Sequence, residues 1–377
     1  MVDLKRVLLI ILVLITAVSP INASAVSASA KAAILINGDT GEVIYEQNAD
    51  ERLPMASTTK IMTALLLCEN GDFEREITVS EEMLRVEGSS MGLLAGDKVT
   101  LHDLLYGLLL ASGNDAANVV AYVLGGTVDG FVKMMNDRAK QLGLENTNFV
   151  TPSGLDAEEH YTTARDLALL ARVAMQNEDF YNAASSKSAT LNYGNPPYRR
   201  SLTNHNKLLK AFEGAIGVKT GFTKKSGRCL VSAAKRDGKY VIAVTLNDPN
   251  DWEDHKALLE YGLSAIKTTE ISPPETEYSV EVIGGTESKL KVSVGSFTAS
   301  SLNEEDFSCA VNLPRFVYAP IKKGETIGTA VYKKGDTVIS TAELCAEKAI
   351  EVAAGKRSAV DKILENLMYI FKNIWEK

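Results

Sequence analysis

Pro54-Met55-Ala56-Ser57-Thr58-Thr59-Lys60-Ile61-Met62-Thr63-Ala64-Leu65-Leu66-Leu67-Cys68 reads as a helix that becomes apolar on every face after its first turn. A helix of that kind belongs in the middle of a core. Ser57 and Lys60 stand at positions i and i+3, so they share a face one turn apart. A serine hydroxyl is a poor nucleophile until a neighbouring base takes its proton. A lysine serves as that base only when its ammonium form is destabilised. Burial does this, and a second cation such as Lys219 pushes the same way. The start of the helix also offers the backbone N–H of Ser57 to a developing oxyanion. The plainer alternative is a capping serine and a surface lysine, but an all-apolar helix leaves that lysine little surface to reach.

Two further motifs follow in order. Ser112-Gly113-Asn114 sits where the apolar helix over 104–111 breaks, and Lys219-Thr220-Gly221 is expected to end the strand that begins at Ile216. Around them, residues 31–46 alternate as two short strands about the turn Asn37-Gly38-Asp39-Thr40-Gly41. Helical patterns run over 101–124, 128–142 and 162–175, the last capped by Thr162 or Thr163. Strands are expected over 216–220, 229–234 and 240–246, then a helix over 252–266. Strands at both ends and helices between them predict an α+β domain whose antiparallel sheet draws on both ends of the region.

Ser272-Pro273-Pro274 reads as a linker, since paired prolines resist both helix and sheet. Beyond it, alternating segments around Val280, Val292, Val311 and Ile327 are separated by glycine turns and predict a small all-β domain. No catalytic constellation falls in it. At the N-terminus, Lys5-Arg6 precedes an apolar run from Val7 to Val18, then Ala23-Ser24-Ala25 and Ala28-Ser29-Ala30 offer two cleavage sites. These are the parts of a secretory signal peptide. The run spans roughly 18 Å as a helix, short of the ~30 Å of a bilayer core. At the C-terminus, Val360, Ile363, Leu364, Leu367, Met368, Phe371, Ile374 and Trp375 form a helical apolar stripe that suits a membrane interface. Acids as well as lysines lie opposite, and packing on the chain's own domain is the alternative. The expected organisation is a signal peptide over 1–25, a catalytic domain over 26–271, an all-β domain over 272–350 and a membrane-anchoring helix over 358–377.

Composition narrows the functional classes. The 377 residues allow two or three domains, and a net charge of −8 argues against general nucleic-acid binding. Cys68, Cys229, Cys309 and Cys345 are widely spaced, and the four histidines are scattered, so neither zinc spacing nor a disulfide framework appears. Cys68 and Cys229 read as packing residues, and pairing of Cys309 with Cys345 is left open. Gly88-Ser89-Ser90-Met91-Gly92 matches the G-x-S-x-G nucleophile elbow, but no strand precedes it and a Gly96-Asp97 turn follows. Ser90 is therefore read as a loop residue. His205 is read as a loop histidine that could line a cleft near Lys219.

S-x-x-K, S-x-N and K-T-G in this order resemble the signature of penicillin-binding proteins and class A β-lactamases. Met55–Ala64, Ser112–Ala117, His160–Asp166 and Lys219–Thr223 extend the likeness, which runs from about Ala32 to the end. The chain resembles the low-molecular-mass penicillin-binding proteins, serine-type D-alanyl-D-alanine carboxypeptidases, most closely the Gram-positive ones. The resemblance implies a penicillin-binding-protein catalytic domain: an antiparallel sheet flanked by helices plus a helical subdomain, followed by the β domain and terminal helix.

It also implies roles. Ser57 would attack the carbonyl between the two terminal D-alanines of a peptidoglycan stem peptide, and Lys60 would take its proton. Ser112 would relay a proton to the leaving amine, and Asn114 would hold the substrate amide and orient Lys60. Lys219 and Thr220 would bind the terminal carboxylate, and the backbone N–H groups of Ser57 and Phe222, the latter just past Gly221, would form the oxyanion hole. Some relatives carry histidine where Phe222 stands, which a backbone donor tolerates. Some also use an arginine from outside these motifs; Arg199, Arg200 and Arg228 are candidates. No cofactor is implied. β-Lactams would acylate Ser57, and the enzyme would work outside the cytoplasmic membrane, held at its surface by the terminal helix.

Three other readings use the same residues. A class A β-lactamase needs a deacylating glutamate, for which Glu158 and Glu159 are weak candidates. The others are a transpeptidase and a non-catalytic cell-wall sensor.

Overall fold

The structure, a computed structural model, describes residues 26–302 and 307–353. The signal peptide expected over 1–25 and the amphipathic helix expected over 358–377 lie outside the described residues. Five antiparallel strands form the central sheet, in the order Val43–Gln47, Ala32–Asn37, Lys239–Leu246, Gly227–Arg236, Ala215–Thr223. Both ends of the catalytic region thus contribute strands, as the pattern predicts. Successive side chains point to opposite faces of a strand. Ile34, Ile36, Val231, Ala233, Ile242 and Val244 therefore enter the larger core with the helical subdomain. Leu35, Leu230, Ala234, Val241 and Ala243 pack on the other face against Leu258, Leu259 and Leu263 of helix Asp251–Ala265. Close approach there needs Gly262, where a Cβ would meet Leu35 and Val241 at 3.0 Å.

A single 3₁₀ turn, Ala56–Thr59, leads into helix Lys60–Asn70, in which every residue from Lys60 to Leu67 is buried. The pattern expected over 101–124 divides into Leu101–Leu109 and Asn114–Gly125. The break falls at Ser112, whose φ of 57° is left-handed and ends the first helix. Strand Ala215–Thr223 continues through Lys219-Thr220-Gly221 instead of ending there, because its register with Gly227–Arg236 holds to Thr223↔Gly227. Helix Glu178–Ser185 and hairpin Ser188–Gly194/Pro197–Thr203 were not expected from sequence. The hairpin is mostly exposed on its second strand, so it carries little apolar alternation to read.

Strand pairing toward the β domain begins before the diproline: Lys267–Ile271 pairs with Phe297–Ser301. Two three-stranded sheets follow, one with Glu277–Ile283 at its centre and one with Thr326–Lys334. Val280, Val282, Leu290, Val292, Ala330, Tyr332, Leu344 and Ile350 give this domain its own core. It is tied to the catalytic sheet by Asn37 Nδ2, which donates to Ser300 O at 2.7 Å, and by the Lys334–Glu42 ion pair at 2.9 Å. Cys309 and Cys345 are free. They flank strand Thr326–Lys334 opposite Tyr332 and Thr326, six residues apart, or about 20 Å, beyond disulfide reach.

Candidate active site

The buried helix brings Lys60 to Ser57 as the i, i+3 spacing requires. Lys60 Nζ lies 3.0 Å from Ser57 Oγ, 2.6 Å from Asn114 Oδ1 and 2.6 Å from Ser153 O. Its side chain has no exposed surface. Burial, and secondarily the charge on Lys219, holds its ammonium pKa well below the ordinary lysine value. A neutral amine fits the contacts: two N–H groups donate to Asn114 Oδ1 and Ser153 O, and the lone pair faces the Ser57 hydroxyl. The turn bearing Ser57 is itself held tightly. Ala56 has φ +48°, Thr58 Oγ1 donates to Met55 O at 2.6 Å, and Thr59 Oγ1 donates to Ala56 O at 2.8 Å. Gly154 lets that turn approach, since a Cβ there would stand 1.9 Å from Ala56 O.

Across the cleft, Lys219 Nζ donates to Ser112 Oγ at 3.0 Å and to Thr220 O at 2.9 Å. Burial lowers its pKa to about 7. The strand that carries it packs on the 3₁₀ turn through Gly221, where a Cβ would lie 3.0 Å from Ser57 N. Any larger residue would push the chain away from that N–H. Phe222 is exposed, with its backbone on the same edge strand.

Ser57, Ser112, Thr220, Gly221 and Phe222 line one cleft of about 280 Å³, together with Ser89, His205, Arg228, Asp251 and Trp252. Lys60, Asn114 and Lys219 lie behind its wall as buried partners of Ser57 and Ser112. All eight residues named from sequence therefore converge on one place. Of the three candidate arginines, Arg228 reaches the cleft, as the cross-strand partner of Phe222. Its Nε is 2.9 Å from Asp251 Oδ1. Arg200 is committed elsewhere: it bonds Gly92 O and Asp97 and stacks on Tyr193 and Tyr198. Arg199 stands on the hairpin opposite Asn192. His205 lines the cleft, and burial with the nearby Lys219 charge lowers its pKa.

Sequence reasoning assigned no role to three supporting groups. Asp115 follows Asn114 and accepts from Ser90 Oγ at 2.6 Å and from the N–H groups of Met91, Gly92 and Leu93 at 3.0–3.1 Å. Asn114 Nδ2 adds a bond to Glu87 O at 2.6 Å. These contacts hold the 87–93 loop as a wall, so the false elbow motif supplies Ser89 to the cleft while Ser90 only anchors the loop. His160, buried with a pKa lowered to about 4, accepts from Val150 N–H at Nδ1. Its Nε2 is 2.8 Å from Thr59 Oγ1, so it braces the turn that carries Ser57. Ser153 O, the third contact of Lys60, comes from a loop with no pattern of its own.

Residues 19–250 match the family described as D-alanyl-D-alanine carboxypeptidase, and residues 268–352 match the C-terminal domain of penicillin-binding protein 5. Among similar curated proteins, the carboxypeptidase DacF of Bacillus subtilis is 33% identical over 337 residues, 86% of each chain. Its counterpart from Streptomyces sp. K15 is 36% identical over 61% of this chain and 85% of its own. Among solved structures, the carboxypeptidase DacD of Francisella tularensis matches with a TM-score of 0.62 at 29% identity, over 88% of this chain and 96% of its own. The Streptomyces K15 DD-transpeptidase matches with a TM-score of 0.61 at 34% identity, over 63% and 98%. The three motifs, the cleft they share and these likenesses converge, and the chain belongs to the serine-type D-alanyl-D-alanine carboxypeptidases of the low-molecular-mass penicillin-binding class.

Proposed function

We propose that Ser57 is the nucleophile that releases the terminal D-alanine of a peptidoglycan stem peptide. The observation that carries this is the fully buried Lys60 Nζ 3.0 Å from Ser57 Oγ, in surroundings that disfavour its ammonium form. Lys60 Nζ takes the hydroxyl proton as Oγ bonds to the carbonyl carbon. The oxyanion is met by the N–H groups of Ser57 and Phe222. The C–N bond then breaks as the proton taken by Lys60 passes through Ser112, whose Oγ is held by Lys219, to the departing D-alanine nitrogen, which leaves Lys60 neutral again. Water attacks the resulting ester, Lys60 again serving as base, and Ser57 is restored. A β-lactam follows the first half of this sequence and stays attached.

Carboxylate recognition falls to Thr220, the Lys219 charge behind it and Arg228 on the adjacent strand. Release of D-alanine from a peptide ending in D-Ala-D-Ala, by protein lacking residues 1–25, tests the reading. It fails if folded Ser57→Ala retains the release or the penicillin label. Transfer to a second stem peptide's amine is a further reading, favoured by the name of the Streptomyces K15 structure. The same assay reads it as cross-linked dimer.

The chain acts on the cell wall, and we place it outside the cytoplasm, with residues 1–25 removed and residues 358–377 at the membrane surface. Cleavage after Ala25 is supported over cleavage after Ala30 by Ser29. Its one hydroxyl proton is shared between Asp254 Oδ2 at 2.7 Å and Asp248 Oδ1 at 3.1 Å, while Gln47 Nε2 donates to Ala30 O at 2.7 Å. Cutting after Ala30 would discard Ser29. The mass of the secreted chain decides between them.

A further inference from the structure

Four large apolar side chains are exposed together at one corner of the β domain. Ile283 is 44% exposed, Phe316 41%, Tyr318 67% and Val352 55%. Parallel pairing sets Ile283 beside Tyr318 and Glu281 beside Phe316. Strand alternation puts these residues on the outer face, opposite the core residues Val280 and Val282. The Phe316 and Tyr318 rings meet edge to face at 5.5 Å. Val352 joins the group through its bridge to Gly285, two residues beyond Ile283. A clustered apolar face of this kind marks an interaction surface, whereas scattered single side chains would not.

Where the chain leaves the domain identifies the partner. Ala353, the last described residue, donates its N–H to Gly284 O at 2.8 Å, directly beside this corner. Residues 354–357 separate it from the segment over 358–377, and four residues span at most about 14 Å. This inference rests on the reading that the segment lies at a membrane surface. With that segment in the interface, the corner is held within a short tether of lipid. Exposed Arg315, Lys322 and Lys323 stand close to the patch in sequence, Lys322 only four residues from Tyr318. Glu281 and Glu277 share the outer face of the strand, Glu277 paired with Lys291 at 2.5 Å. Glu351 is exposed beside Val352, and Glu325 accepts from Lys322 N–H at 2.8 Å. Aromatic rings and basic side chains together suit the boundary between acyl chains and headgroup phosphates.

We propose that Ile283, Phe316, Tyr318 and Val352 enter the lipid interface, with Arg315, Lys322 and Lys323 meeting headgroup phosphates. The β domain then makes a second membrane contact besides the terminal segment. Two weak contacts in one chain bind far better than either alone, and they fix orientation as well as attachment. The catalytic cleft is thereby held at a set angle to the membrane.

The test is sedimentation of protein spanning residues 26–377 with phosphatidylglycerol or phosphatidylcholine vesicles. The variants are Phe316→Ser/Tyr318→Ser, Lys322→Glu/Lys323→Glu and a chain ending at Ala353, each checked for unchanged D-alanine release in solution. The aromatic variant is expected to bind both vesicles at least tenfold more weakly. The charge variant loses a similar factor on phosphatidylglycerol only, together with most of the salt dependence. If both surface variants bind like the parent while truncation abolishes binding, the terminal segment acts alone and the proposal is wrong, with the membrane reading intact. If the parent binds neither vesicle, the membrane reading falls and the proposal with it. Tighter binding by the aromatic variant would make the corner a seat for residues 358–377, and that also overturns it.

Discussion

Lys60 Nζ and Ser57 Oγ lie 3.0 Å apart, and the two other groups around that amine, Asn114 Oδ1 and Ser153 O, are acceptors only. An amine so placed spends its N–H groups on the acceptors and leaves its lone pair for the hydroxyl. Its burial disfavours the competing ammonium form. Arginine preserves a cation here but cannot act as a base, because its pKa exceeds 12. Lys60→Arg is therefore expected to slow acylation by a fluorescent penicillin by about 10²–10⁴-fold, the usual worth of a general base. A loss below tenfold in folded protein would assign the base elsewhere.

In the proposed mechanism Lys219 has the opposite task and needs its charge. Burial brings its pKa to about 7, so the cation is present below that pH and is lost above it. The kcat/KM for a D-Ala-D-Ala peptide should fall as pH rises through about 7. Lys219→Arg keeps the charge at every accessible pH. Whatever its residual rate, its profile should lose that falling limb, and a limb at the same pH in both proteins would exclude Lys219 as the titrating group.

The parts of the site that sequence made legible are those set by local periodicity. Ser57 and Lys60 share a helical face, Ser112 marks a helix break, and Lys219 stands in a strand whose flanks alternate. Each of these is a short-range property. The groups that escaped reading depend on contacts between segments far apart in sequence. Ser153 O touches Lys60 from 93 residues away, and Arg228, one of three arginines that sequence left undecided, shares the cleft wall with Asp251. A backbone carbonyl carries no residue identity to read, and an arginine is placed only by strand register. The same holds for the fold: the central sheet was visible in its apolar alternation, but the exposed hairpin 188–203 was not.

Arg228 should act on the substrate's charge and not on the chemistry. Asp251 Oδ1 lies at ion-pair distance, 2.9 Å, from its Nε without the geometry of a hydrogen bond, and half-exposure in the cleft leaves the outer end of the guanidinium for a carboxylate. Arg228→Leu is expected to lower kcat/KM by about 10–100-fold for a peptide ending in a free carboxylate, the loss of a charge-assisted hydrogen bond or two. For the same peptide ending in a carboxamide the change should be small. Equal losses on both peptides would mean that Arg228 only supports the fold of the cleft.

Asp115 keeps the 87–93 loop in place with one buried carboxylate. Asp115→Ala leaves the N–H groups of Met91 and Leu93 without their acceptor and leaves Gly92 N–H only Ser90 Oγ at 2.8 Å, which itself loses Asp115. Hydrogen bonds to charged groups contribute about 1.5–3 kcal/mol each, and partial hydration of the freed loop limits the sum to roughly 3 kcal/mol. Denaturant unfolding should show that loss, with penicillin acylation slowed as Ser89 shifts. Asp115→Asn retains one acceptor oxygen and should lie between. Unfolding midpoints that do not change would show that the loop is held by its other contacts.

Asp248 gives the fold a pH dependence away from the catalytic groups. Burial raises its pKa to about 6, opposed by the Asn250 N–H and assisted by the neighbouring Asp254 charge. Unfolded, the same carboxyl titrates near 3.9. The folded state thus binds this proton more tightly, so its contribution to stability is complete below about pH 4 and is lost as pH rises through about 6. The change amounts to roughly 3 kcal/mol across that window. Asp248→Asn cannot titrate and should flatten this part of the stability curve. Ser29→Ala removes a donor that favours the ionised form, so it should steepen the loss. Denaturation midpoints measured from pH 4 to 7 for the three proteins test this, and parallel curves would remove Asp248 as the cause.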